Sequence, residues 1–243
     1  MKRRKLIHNA TALGLEALAL EPLATLLEAL GDSEPTPIPA RVGKPEIKQI
    51  RTATRAFDSR SATYGPGLGR EAVMGQLRWS AGLLKATCPD RLRPELHSAV
   101  GGLAETAGYS AQNEEEARRV FRFALGCAER AKDWNLRAEV LSSMAKQAIW
   151  TGKPDEGLTL AELALVRADR LTPTGRAVLH VDRGRALATM RRVQETLTAI
   201  GTADEHFAHS TPDNEPPCMA YYNIARHAQC TGQALVDLAI LGR

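Results

Sequence analysis

The residues in this chain best suited to chemistry are six histidines and four cysteines, and their spacing assembles none of them into a reacting centre. His206 and His209 form H-x-x-H, one helical turn apart, beside Asp204-Glu205. A metal would also need a third ligand and a second shell to lock the imidazoles, and the sequence offers neither, so the group reads as surface polar residues at a helix end. Cys88, Cys127, Cys218 and Cys230 contain no C-x-x-C and read as reduced, mostly buried thiols. Gly65, Gly67 and Gly69 precede a helix, but no strand leads in and no Lys-Ser/Thr follows, so they read as an interhelical turn rather than a phosphate loop. With no G-x-S-x-G and no H-E-x-x-H, the chain is expected to be neither an enzyme nor a holder of metal or cofactor.

Binding is the better reading, and it depends on how the helices repeat. From Leu103 to Leu165 the chain reads as two copies of one helical hairpin. Ala104, Tyr109, Asn113, Ala117, Phe121 and Ala124 fall forty residues before Met144, Ile149, Lys153, Gly157, Ala161 and Ala164. In each copy a polar break separates the helices and a small residue sits where they cross, which lets the backbones approach. This order is that of a tetratricopeptide-like repeat, so the expected fold is all-α, a helical-hairpin solenoid (α-α superhelix). Aromatics at only 5% and helical apolar spacing throughout agree with that class.

The same spacing sets the boundaries. Residues 1–30 read as two amphipathic helices, since Leu6, Ala10, Leu13, Ala17 and Leu20 keep four-three spacing while Glu16, Glu21, Glu28 and Pro22 interrupt any leader-like or membrane-spanning run. Residues 31–45, with four prolines, read as a stiff extended linker. The repeat domain takes residues 46–243: helices over 46–63 and 70–87, then 91–110 with 114–132, 136–151 with 155–170, and 175–190 with 194–208. A fourth, incomplete hairpin over 218–230 and 233–241 closes it, apolar on most sides and a candidate homodimer contact. Lys2 to Lys5 carry the net charge of +4, and the other 28 basic and 28 acidic residues cancel, which argues against a broad nucleic-acid face. Arg118, Arg119 and Arg122 remain a local basic patch.

Carried forward, the forty-residue register stacks the first helices into rows. One row reads Thr106, Lys146, Arg185 and Arg226; the next Tyr109, Ile149, Ala188 and Gln229; a third Ser110, Trp150, Thr189 and Cys230. Basic residues in register beside an aromatic suit a partner protein, a peptide or a small acidic effector. The candidate groove residues are therefore Thr106, Tyr109, Lys146, Trp150, Arg185, Arg226 and Gln229.

Several segments are similar to the effector region of actinobacterial helix-turn-helix regulators of the Cro/repressor (Xre) type. They are Arg3-Arg4-Lys5-Leu6, Arg55-Ala56-Phe57 before Tyr64-Gly65, the run Leu103 to Tyr109, the run Val140 to Trp150 with Gly152-Lys-Pro, and Thr231 to Leu238. The resemblance implies a cytoplasmic regulatory protein linked to transcription. In that family a DNA-reading domain precedes such an opening, and nothing before Leu6 can place a recognition helix in a groove. This chain is therefore expected to make no specific DNA contact of its own and to serve as the sensing and interaction half. The alternative it leaves is a truncated regulator whose helix-turn-helix lies outside this chain.

Overall fold

The computed structural model describes residues 36–216, 219 and 221–241. The helices expected over residues 1–30, the basic run Lys2 to Lys5, His8 and Cys218 lie outside the described residues. The chain divides into residues 1–37 and 38–243, and every helix below belongs to the second unit.

That unit is all-α. Among the described residues there are nine α-helices, short 3-10 turns and no strand, with one isolated bridge between Arg41 and Thr87. The first helix, α1 (Lys44–Tyr64), starts at Gly43, whose N–H donates to Glu46 Oε2 at 2.7 Å, with Pro45 in the first turn. It ends at Gly65, where φ of +80° suits glycine. Next come α2 (Arg70–Leu83), α3 (Arg93–Tyr109), α4 (Glu114–Ala131), α5 (Trp134–Trp150), α6 (Pro154–Leu165), α7 (Pro173–Thr189), α8 (Val193–Phe207) and α9 (Ile224–Leu241). Side chains cap four of the starts: Asn113, Asp133, Thr172 and Asn223 accept from the N–H groups of Glu116, Leu136, Gly175 and Arg226.

Each helix packs against its neighbours in the chain. The pairs α3–α4, α5–α6 and α7–α8 pack most extensively, and α1, α3, α5, α7 and α9 each pack on the next in turn. Small residues permit the close crossings. A methyl added to Gly108 would strike the Phe121 ring, 2.6 Å from Cδ1, and one on Gly157 would lie 2.7 Å from Ile149 Cγ1. Ala117, Gly157 and Thr196 are all buried at the fourth position of α4, α6 and α8, and Asn113 and Lys153 are N-caps forty residues apart. The core starts as one large cluster from Val42 to Val140 and continues as smaller ones between α5, α6 and α7 and between α5, α6, α7 and α8.

Three expected boundaries move. The helix expected to reach Thr87 stops at Leu83, because Thr87 exchanges backbone bonds with the incoming chain: Val42 N–H to Thr87 O at 2.9 Å, and Thr87 N–H to Ala40 O at 3.0 Å. The end of the proline-rich stretch is thus docked, with Val42 buried. After Leu165 the chain turns through a 3-10 segment, Ala168–Arg170. The fourth hairpin is instead one unbroken helix, α9. The Thr231 hydroxyl donates back to His227 O at 3.0 Å and Gly232 is carried in the helix interior, a cost of about 1 kcal/mol rather than a break.

Candidate functional site

The face made by the odd-numbered helices carries two polar groupings. The first is a seam of hydrogen bonds that joins α1 to α3, α3 to α5 and α5 to α7. Thr106 donates to Asp58 Oδ1 at 2.8 Å, linking α3 to α1. Ser143 of α5 donates to Glu105 Oε1 at 2.7 Å, and its hydroxyl also meets the Tyr109 hydroxyl at 2.9 Å. Ser142 donates to Asp182 Oδ2 of α7 at 2.5 Å, and Lys146 Nζ stands 3.9 Å from the same oxygen. Tyr221, in the segment before α9, donates to Glu139 Oε1 at 2.9 Å.

This seam is acidic. Asp58, Glu105, Glu139 and Asp182 lie along it with one ammonium, Lys146, which pairs with Asp182 at 3.9 Å. Burial, reinforced by the charge of Glu139, pushes the Glu105 carboxyl up to about 8, although the Ser143 hydroxyl opposes it. Burial raises Glu139 too, against the pull of Lys146 and the Tyr221 hydroxyl. Burial alone would discharge Lys146, but the charge of Asp182, 3.9 Å away, leads the interactions that outweigh it and hold the amine charged well above its ordinary range. Glu139 is 5% exposed, and its Oε2 has no hydrogen-bond partner.

The second grouping is a cleft of about 530 Å³ between α5, α7 and α9. Trp150 stands at its edge, 84% exposed, with Arg185 and Arg226 lining it beside Ile149, Thr189 and Gln229. Arg226 donates to Gln229 Oε1 at 2.9 Å, while the buried Nε of Arg185 has no partner. Asp237 is the acidic residue of the lining and accepts from Gln233 at 2.7 Å.

The predicted groove residues therefore divide between the two. Trp150, Arg185, Arg226 and Gln229 meet in the cleft, joined by Ile149, Thr189 and Cys230 from the neighbouring rows. Thr106, Tyr109 and Lys146 belong to the seam, where Thr106 is buried and Lys146 is matched by Asp182. The four carboxylates escaped the sequence reading. The available signal was Glu139, a charge set between Ala138 and Val140-Leu141, and Asp182, forty residues after Ser142.

The remaining candidates have structural partners. His206 stacks on His180 with centroids 5.3 Å apart, and His209 Nδ1 lies 2.8 Å from Glu205 O. Among the described residues no group of three or more His, Cys, Asp or Glu side chains is arranged to hold a metal. His227 bridges Tyr222 (3.0 Å) and Asp204 (2.7 Å), tying α9 to α8 and to the segment before α9. Arg118 and Arg119 pair with Glu114 and Glu115, each at 2.9 Å, which neutralises most of the basic patch. Cys88 and Cys127 are buried free thiols, and Cys230 is half-buried. No helix among the described residues is long and apolar enough to cross a membrane.

The chain matches no family model, no curated protein and no solved structure.

Proposed function

We propose that this chain is a non-enzymatic interaction module, a tetratricopeptide-like stack of helical hairpins that binds a partner protein, a peptide or a small acidic effector on the face of its odd-numbered helices. The reading as a stack rests on the sequential packing of α3–α4, α5–α6 and α7–α8 and on the N-caps spaced by forty residues. The spacing exceeds the roughly thirty-four residues of a standard tetratricopeptide unit, and helices of seventeen and eighteen residues in α3 and α4 account for the difference. Such a stack turns its first helices toward the concave side.

The observation that carries the function is the Trp150 cleft. A tryptophan left 84% exposed next to two arginines is a large apolar surface placed beside positive charge. Aromatic and arginine side chains are the residues that most often anchor interfaces, and arginine binds carboxylate through two parallel hydrogen bonds. The link to transcription and a place in the cytoplasm follow from the resemblance to Xre-type regulators and belong to the same proposal. An array of peptides, each present as the free C-terminal acid and as the amide, tests it. The wild-type chain should retain a subset of the acids over their amides, and Arg185→Glu with Arg226→Glu should abolish that preference. Equal retention of acids and amides, or a preference that survives the double charge reversal, would rule out the cleft.

A further inference from the structure

We infer that the Trp150 cleft reads charge of both signs: it takes a peptide end whose free carboxylate sits on Arg185 and Arg226 and whose lysine or arginine side chain, about two to four residues before the last, crosses Trp150 to reach Asp237. The inference rests on the reading of this cleft as a carboxylate site and adds the class of sequence that the site selects.

One wall of the cleft is α9, and the residues it contributes run from a cation to an anion. Arg226, Gln233 and Asp237 fall at i, i+7 and i+11, on one face of the helix, and all three line the cleft. Arg185 of α7, in register with Arg226, joins the positive end. Among the described residues neither arginine forms an ion pair, and nor does Asp237, whose hydrogen bond goes to Gln233 on its own helix. Asp182 feels both guanidinium charges, but the cation it pairs with is Lys146. Opposite charges that line one cleft without meeting are open to a guest that bears both. Nor is Asp237 placed for the benefit of the helix: it lies one turn before the end of α9, where the helix dipole disfavours a carboxylate.

The spacing sets the length of the guest. Eleven residues of α-helix rise about 16 Å between Arg226 and Asp237, a distance that about five residues of extended peptide would cover. The reach of the arginine and of the guest's own basic side chain takes up about one to three of those residues. Trp150 shares a row with Thr189 and Cys230, one turn on from the arginine row in the direction of Asp237, and its indole is exposed. A lysine or arginine stem that passes it lays methylenes on the ring and brings a cation to its face. A guest without that cation strips water from Asp237 and offers nothing in return, and a guest with a second acid there meets like charge.

The probes are acetylated six-residue alanine peptides with a free C-terminal carboxylate. Each carries lysine, its uncharged counterpart norleucine, or glutamate at one of the five positions before the last, and is titrated calorimetrically into the full chain. Lysine should bind about threefold or more tighter than norleucine, the scale of one partly exposed ion pair with a ring contact. The gain should be confined to one or two neighbouring positions, and glutamate there should bind more weakly than norleucine. Asp237→Asn keeps an oxygen for Gln233 and should bring lysine level with norleucine, while free acids still bind more tightly than their amides. Asp237→Lys should reverse the order in favour of glutamate. A wild-type chain that prefers acids to amides but binds lysine and norleucine equally, or shows the same lysine advantage at every position, would overturn the inference and leave the carboxylate site standing. A lysine preference that survives Asp237→Asn would do the same, whereas equal binding of acids and amides would remove both.

Discussion

Replacing Glu105 with glutamine should change how the stability of this chain depends on pH. The Glu105 carboxyl holds its proton up to about 8, whereas an unfolded chain releases it near 4.5. Across that window the folded state carries one more proton than the unfolded state, so stability falls as pH rises and levels off above the folded value. One proton corresponds to a slope of about 1.4 kcal/mol per pH unit, or about 3 kcal/mol between pH 5 and pH 7. Partial exposure of Glu105 and its coupling to Glu139 reduce this, and about 1–2 kcal/mol over that interval is the expected difference. Glutamine keeps an oxygen for the Ser143 hydroxyl but has no proton to lose. Urea unfolding of both chains at matched pH values measures the effect: the two should be nearly equal at pH 5, and Glu105→Gln should be the more stable at pH 7 and above. Parallel profiles, or an advantage of the variant over the wild type that grows as the pH is lowered, would refute the burial of this carboxyl.

Two further substitutions probe the packing beneath the face. Gly108→Ala forces a methyl into the Phe121 ring and should cost about 1–3 kcal/mol, read as a lowered urea midpoint; Phe121→Leu in the same chain should recover part of the loss. Asp182→Asn removes the charge opposite Lys146 and should cost about 1–3 kcal/mol at neutral pH. A loss below about 0.5 kcal/mol would show that Glu139 and Glu105 alone satisfy the ammonium.

Most of the helical framework could be read directly from the chain, because caps and apolar spacing act locally. Asn113, Asp133 and Thr172 are side-chain caps whose effect extends over one turn, and the helices they start lie within two or three residues of expectation. The misreadings include a contact made at a distance and a local bond that carries a helix through an apparent break. The end of α2 is set by Ala40 and Val42, and Thr231-Gly232 looks like a break until the threonine hydroxyl is seen bonded back into the helix. At the site, the forty-residue register brought Trp150, Arg185, Arg226 and Gln229 together, since equivalent positions on successive helices become neighbours. It could not show which charges pair across helices. Thr106 and Asp58 are forty-eight residues apart and Glu139 and Tyr221 eighty-two. A glutamate on a helix is ordinarily solvated, so one sunk among apolar neighbours carries little trace in the sequence.

The most direct test of the account is the indole N–H resonance of Trp150, assigned by its loss in Trp150→Phe and followed while a free-acid peptide retained by the wild-type array is added. The account predicts a saturable shift of this resonance, little change at Trp79 and Trp134, and no response to the amidated form of the same peptide or in the Arg185→Glu, Arg226→Glu chain. A peptide that binds without moving the Trp150 signal, or that moves it equally as acid and amide, would contradict it.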